Sequence, residues 1–113
     1  MALLTKQSVL SAEDFQYAIV SCPEWGGEVR VRGLTAAEQA FVAKRYNDGK
    51  QEDFDVTVCI MACVDELGQP IFDNGDKDQL RRKSFAVLDR VAKKIIELTG
   101  DSGEEEIEAA RKN

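Results

Sequence analysis

Cys59 and Cys63 stand one helical turn apart in "CIMAC", a spacing that would let two thiolates face one metal ion. Two ligands do not complete a tetrahedral zinc site. The chain has no histidine and no CxxC pair to finish one, and Cys22 lies far away in the sequence. Buried small residues are the plainer reading of these cysteines, since the free thiol is among the most buried side chains. "DNGDKD", residues 73 to 78, has the composition of a calcium loop but not its order. Counted from Asp73, Gly75 and Lys77 fall at ligand positions, and Ser84 falls where a bidentate glutamate belongs. The segment reads as a solvated turn entering a helix. The acid pairs Asp53/Asp55 and Asp65/Glu66, and the run from Glu104 to Glu106, sit in polar stretches expected to be wet. A wet carboxylate keeps its ordinary pKa and makes a poor general acid. Gly26, Gly27 and Gly33 build no phosphate loop, and Glu24 and Glu28 beside them would repel an anion. Without histidine, the commonest general base and metal ligand is missing as well. The expectation is a protein with no catalytic residues, no cofactor and no metal.

The totals agree. At 113 residues, 43% hydrophobic and 32% charged, the chain has enough material for one modest core. No run of eighteen apolar residues is present, so no membrane span or membrane partner is expected. "MALLTKQSVLSAEDF" lacks the basic start and long apolar centre of a signal peptide. Three cysteines cannot all pair within one chain, which fits a reducing cytoplasm. A formal charge of −6 argues against nucleic acid, whose recognition needs a clustered positive field.

The elements that must position any site can be read in order. Residues 4 to 12 form a short helix opened by Thr5. "FQYAIVSC", residues 15 to 22, is a strand by its aromatic and β-branched content. "PEWGG" is a turn, with Pro23 fixing φ and Gly26-Gly27 permitting positive φ. "EVRVRGL" alternates, placing Val29 and Val31 on a buried face and Arg30 and Arg32 on the outer one. Thr35 and Glu38 make a capping box, and the helix they open turns Phe41, Val42 and Tyr46 inward. The apolar run inside residues 51 to 66 reads as a buried helix. Ile71 and Phe72 anchor the connector that follows. Residues 77 to 99 carry a clear amphipathic stripe of Leu80, Val87, Leu88, Val91, Ile95 and Leu98, with a break possible at Ser84 and Gly100 as the C-cap. The fold class is mainly α with a small N-terminal antiparallel β-hairpin (α+β), its helices at about 35–48, 51–66 and 77–99. Residues 1–100 form the domain, and 101–113 an acidic, mobile tail whose one large apolar residue is Ile107.

Charge is unevenly spread. Residues 1 to 76 hold thirteen acids against six bases, whereas Lys77 to Glu97 holds seven bases against three acids. The basic stretch is either a solvated helix face or a docking surface for an acidic partner, such as the tail of another copy. Trp25 either anchors the hairpin or serves as an interface anchor, a role in which tryptophan is over-represented. The candidate partner-binding residues are therefore Trp25, Arg30, Arg32, Arg82, Arg90, Lys93 and Ile107.

Four stretches, "MALLTKQSVLSAEDF", "PEWGGEVRVRGLTAAE", "VDELGQPIFDNGDKDQL" and "KSFAVLDRVAKKIIELTG", together resemble the tail assembly chaperones of long-tailed bacteriophages of the siphovirus type. The Glu-Trp-Gly-Gly turn with its following strand and capped helix is the most specific part. The V-D-x-x-G-x-P-x-F pattern from Val64 to Phe72 is the second marker. The resemblance implies a non-enzymatic protein of the host cytoplasm, absent from the finished virion. It would bind the tape measure protein, keep it soluble and multimerise, often as a spiral. It also implies a longer form, made by a −1 ribosomal slip, that recruits the tail tube protein. The end Arg111-Lys112-Asn113 can be encoded over A-AAA-AAC, a run that permits such a slip. The rival reading, from the residues alone, is a small cytoplasmic adaptor or regulatory protein that binds one peptide partner.

Overall fold

The computed structural model describes residues 3–49 and 53–100. The acidic tail, with Ile107, lies outside them. Along the chain come α1 (Lys6–Ser11), β1 (Tyr17–Cys22), β2 (Gly27–Arg32), α2 (Ala36–Asn47), α3 (Phe54–Ala62), β3 (Cys63–Val64), α4 (Lys77–Leu80) and α5 (Phe85–Thr99). The class is α+β, as the sequence indicates, but the hairpin grows into a three-stranded antiparallel sheet in the order β1-β2-β3. The helix expected over 51–66 stops at Ala62, and Cys63-Val64 leaves it to pair with Val31 and Arg30. The helix expected over 77–99 is two, parted before Ser84.

The Glu-Trp-Gly-Gly turn has a simple physical account. Pro23 opens a 3-10 turn through Trp25, and Gly26 closes it at φ 87°, donating its N–H to the Pro23 carbonyl at 3.0 Å. A side chain at Gly26 would strain that left-handed conformation. The register runs unbroken from Cys22↔Gly27 to Tyr17↔Arg32. One face, with Ala18, Val20, Cys22, Val29 and Val31, meets the helices; Tyr17, Ile19, Ser21, Glu28, Arg30 and Arg32 alternate onto the other. The Val-Asp-x-x-Gly pattern is also turn chemistry. The Asp65 carboxylate accepts from the Leu67 and Gln69 N–H groups at 2.8 and 3.0 Å, and Gly68 takes φ 84°.

Thr35 caps α2 as expected: its hydroxyl accepts from the Glu38 N–H at 3.1 Å, and the Glu38 carboxylate accepts from the Thr35 N–H at 2.9 Å. Val42 and Tyr46 turn inward, and the Tyr46 ring stacks at a tilt on Phe54 with centroids 4.6 Å apart. Phe41 departs from expectation and is 49% exposed, on the side of α2 where Arg45 stands over its ring. Phe72 packs against the core, but its neighbour Ile71 faces solvent. The apolar face of α5 lies across β1, β2 and α3, burying Val87, Leu88, Val91, Ala92, Ile95 and Ile96.

Gly33 marks the closest approach of sheet to helix. A Cβ there would sit 2.8 Å from the Leu98 carbonyl oxygen and 3.3 Å from Thr99 Cα, both backbone atoms that cannot swing aside. Gly33→Ala is therefore expected to destabilise the fold by about 1–3 kcal/mol, the usual range for overpacking. Chemical denaturation checks this; a variant as stable as the parent would show that α5 and the β2–α2 link can separate freely.

Candidate partner interface

Of the candidate residues, Ile107 lies outside the described residues, and the structure places Arg30 and Arg32 on the sheet and Trp25 and Arg90 at the hairpin turn. It spends most of their charge inside the domain. Arg32, expected on the outer sheet face, is buried. Its guanidinium makes a bidentate pair with Glu38 at 2.9 and 3.1 Å and donates to the Gly33 and Met61 carbonyls, with the Phe15 ring 4.7 Å away. Burial pushes the Glu38 carboxyl up, but hydrogen bonds from Arg32 and Thr35 outweigh it and hold the group below its ordinary value. Arg30 lies over the Tyr17 ring at 3.9 Å and donates to the Asp65 and Glu66 carbonyls. Both arginines thus join β2 to its neighbours. Period-2 alternation chose the correct face for them and could not show what covers it.

Trp25 is half-buried and packs against the core. Beside it Arg90 grips Glu24 in two bonds of 2.8 and 2.7 Å and donates to the Ser21 carbonyl at 3.2 Å, fastening α5 to the turn. Lys93 pairs with Asp89 at 3.1 Å, and Lys94 with Glu97 at 3.2 Å. Asp53, expected to be wet, is buried and holds Lys77 at 3.2 Å and Arg81 at 3.1 Å. Asp55 is buried too, at the start of α3. Among the described residues, five of the seven bases between Lys77 and Glu97 are therefore ion-paired, leaving Arg82 and Lys83 beside the break between α4 and α5.

Cys22, distant in the sequence, comes to the pair Cys59 and Cys63 that the spacing already set together. Cys22, Cys59 and Cys63 are all buried and electrostatically within reach of one another. Hydrogen bonding with Cys63 and burial push the Cys59 thiol well up, and burial pushes Cys22 up. Protonated, buried thiols are neither nucleophiles nor ready metal ligands. Among the described residues no set of three side chains is placed to hold a metal ion.

What the sequence did not single out is the exposed apolar surface. Leu3, Leu4 and Leu10 are 97%, 75% and 73% exposed, and Val9, Ile19, Leu67 and Phe85 also face solvent. The signal was present in "LLTKQSVL": Leu4 before the Thr5 cap and Val9 four residues into α1 occupy the positions of a hydrophobic staple. A cleft of about 370 Å³ opens between the start of α2 and the end of α5, lined by Asp14, Phe15, Gln16, Leu34, Thr35 and Thr99 among others. No helix among the described residues is long and apolar enough to cross a membrane.

The Glu24–Arg90 pair yields a test in pH. Hydrogen bonding to Arg90 lowers the Glu24 carboxyl from 4.5 to about 2. A carboxyl depressed on folding adds stability above its unfolded pKa and loses it as pH falls through the folded value. Both side chains are nearly half exposed, so the contribution is small. Glu24→Gln is expected to lower Tm slightly at neutral pH, with the difference closing between pH 4.5 and 2. Thermal melts of both proteins across that range decide it; a constant difference would mean the carboxylate charge is irrelevant.

Comparison with known proteins places this geometry. No protein-family profile matches the chain, and no curated protein sequence matches it. Among solved structures, the tail assembly chaperone of bacteriophage HK97 is similar, with a TM-score of 0.64 and 23% sequence identity over 84% of this chain and 93% of that one. The sheet and helices described above therefore share the fold of that chaperone along nearly its whole length.

Proposed function

We propose that this chain is a non-enzymatic assembly chaperone of a phage tail, and that it acts in the host cytoplasm by binding the tape measure protein and keeping it soluble. The observation that carries this reading is the likeness in fold to the HK97 chaperone over 93% of that protein. The two sequence markers support it, because each proves to be a turn that the fold requires: Pro23 to Gly26 bends the hairpin, and Asp65 to Gly68 returns the chain after β3. A client-holding role also fits the surface. Contiguous exposure of large apolar side chains is uncommon on a monomer without a binding task, and Leu3, Leu4, Val9 and Leu10 stand together at one end of the sequence.

On this reading the protein multimerises along its client and is absent from the mature virion, and a longer frameshifted form brings in the tail tube protein. Reading the gene tests the last point: A-AAA-AAC over Arg111 to Asn113, or another slippery run close upstream, with an open −1 frame beyond it. Its absence would remove the longer form from the proposal.

The direct test is co-expression with the tape measure protein encoded nearby. The client is expected in the soluble fraction, co-purifying with this chain, and in the pellet without it. A client equally soluble alone, or one that never co-purifies, would overturn the chaperone reading and leave a single-peptide adaptor in its place.

A further inference from the structure

The strand order leaves β1 at an edge of the sheet, and the phase of its ladder shows what that edge offers. Gly33 donates its N–H to the Gln16 carbonyl at 3.3 Å, one step beyond the Tyr17↔Arg32 pair. Antiparallel pairing alternates, so Ala18, Val20 and Cys22 turn their main-chain groups toward β2, and Tyr17, Ile19 and Ser21 turn theirs outward. Among the described residues no main-chain segment bonds to those outward groups. Arg90 donates to the Ser21 carbonyl, which keeps its second lone pair. Natural edges are blunted by charge, proline or a bulge. "YAIVSC" has neither charge nor proline, and its register with β2 is unbroken.

We infer that this edge holds the client, by adding to the sheet an extended stretch whose middle is uncharged and β-branched and whose ends carry Lys or Arg. That the occupant is the client rests on the chaperone reading; the preference of the edge does not. Tyr17, Ile19 and Ser21 each present an N–H and a C=O at strand spacing, which extended backbone matches along its length. Ile19 is 55% exposed and Tyr17 37%, so apolar or β-branched cross-strand neighbours gain cover there.

The charges stand at the ends. Glu13 and Asp14 are exposed just before β1, and Glu28, also exposed, is paired with Ser21 at its far end. A basic residue at either end of the added strand meets these carboxylates, and an acidic one is repelled. Such exposed pairs add little strength, so they select the stretch, while main-chain bonds and uncharged side chains hold it. A second copy of β1 suits the edge less well. Antiparallel pairing would bring the acidic start of each strand to the Glu24–Glu28 end of the other, where Arg90 answers only Glu24. The preferred stretch is also the kind that makes a chain aggregate: short, β-prone and uncharged, with charged residues on its flanks. Covering it with a ready-made strand keeps it from pairing with its like.

Labelled peptides and the full chain test the edge, and the tape measure protein tests its use. A peptide of alternating Thr and Val with Lys at both ends is expected to bind, read by fluorescence anisotropy up to near-millimolar chain. On binding, the Tyr17, Ile19 and Ser21 amides are expected to slow in hydrogen exchange, those of Ala18, Val20 and Cys22 being tied to β2 already. The same peptide N-methylated along its backbone keeps its side chains and charges but loses its donors, and is expected not to bind. A version with Glu at both ends is expected to bind a few-fold more weakly. Ile19→Pro removes an outward N–H and spares the ladder to β2, so it is expected to fold and to weaken peptide binding by about tenfold or more. In co-expression the parent is expected to keep the tape measure protein soluble, and Ile19→Pro is not. A Lys-ended peptide that fails to bind, binds equally when N-methylated, protects no outward amide or binds no better than the Glu-ended one would overturn the inference, whatever becomes of the chaperone reading. An Ile19→Pro protein that folds and keeps the client as soluble as the parent does would overturn the edge as the holding site and leave the chaperone reading intact. A parent that binds the peptide but not the tape measure protein would overturn the chaperone reading and, with it, the client as occupant.

Discussion

The apolar face of α5 is the constraint on which the rest of this domain depends. Val91 and Ile95, both fully buried, lie where the sheet and α3 converge on that helix. The sheet has only one long hairpin, and two strands cannot hold together alone in water. Packing against α5 gives them their buried face, and the bare Gly33 backbone lets the helix end approach. Thr99 completes the contact, accepting from the Leu34 N–H at 3.0 Å through its hydroxyl. With α5 placed, α3 fills its other side, and α2 and α4 follow through α3.

Polar groups secure this arrangement at its margins. Each strongly bound arginine ties elements that apolar packing brings near but does not orient: Arg32 joins β2 to the start of α2 and the end of α3, Arg90 joins α5 to the hairpin turn, and Arg30 joins β2 to the loop after β3. Asp53 does the same between α3 and α4. Among the described residues, five of the seven bases of the basic stretch are held in ion pairs within the chain. A positive docking face is correspondingly reduced, while Leu3, Leu4, Val9 and Leu10 remain exposed.

Local rules made much of this legible. The Thr35–Glu38 capping box, the stripe on α5 and the alternation of β2 each depend on residues a few positions apart, and each is present. The departures have one cause: tertiary cover, which no local pattern reports. Cys63-Val64 has the composition of a helix end, yet the open edge of β2 draws it into the sheet. Asp53 sits in a polar run but is sealed by two cations from twenty-odd residues on. Phe41 has the right spacing to point inward, but Val42 and Tyr46 already fill the α3 side of α2. The apolar arm is not legible from local pattern, because its meaning lies in what it fails to bury.

On the proposed reading, a small domain whose basic stretch is mostly ion-paired within the chain holds a long client by apolar contact. The measurement closest to that claim is the affinity of this chain for the tape measure protein as a function of ionic strength. Association that changes little between low and moderate salt is the result this account predicts. No association, or an affinity that collapses as salt rises, would contradict it.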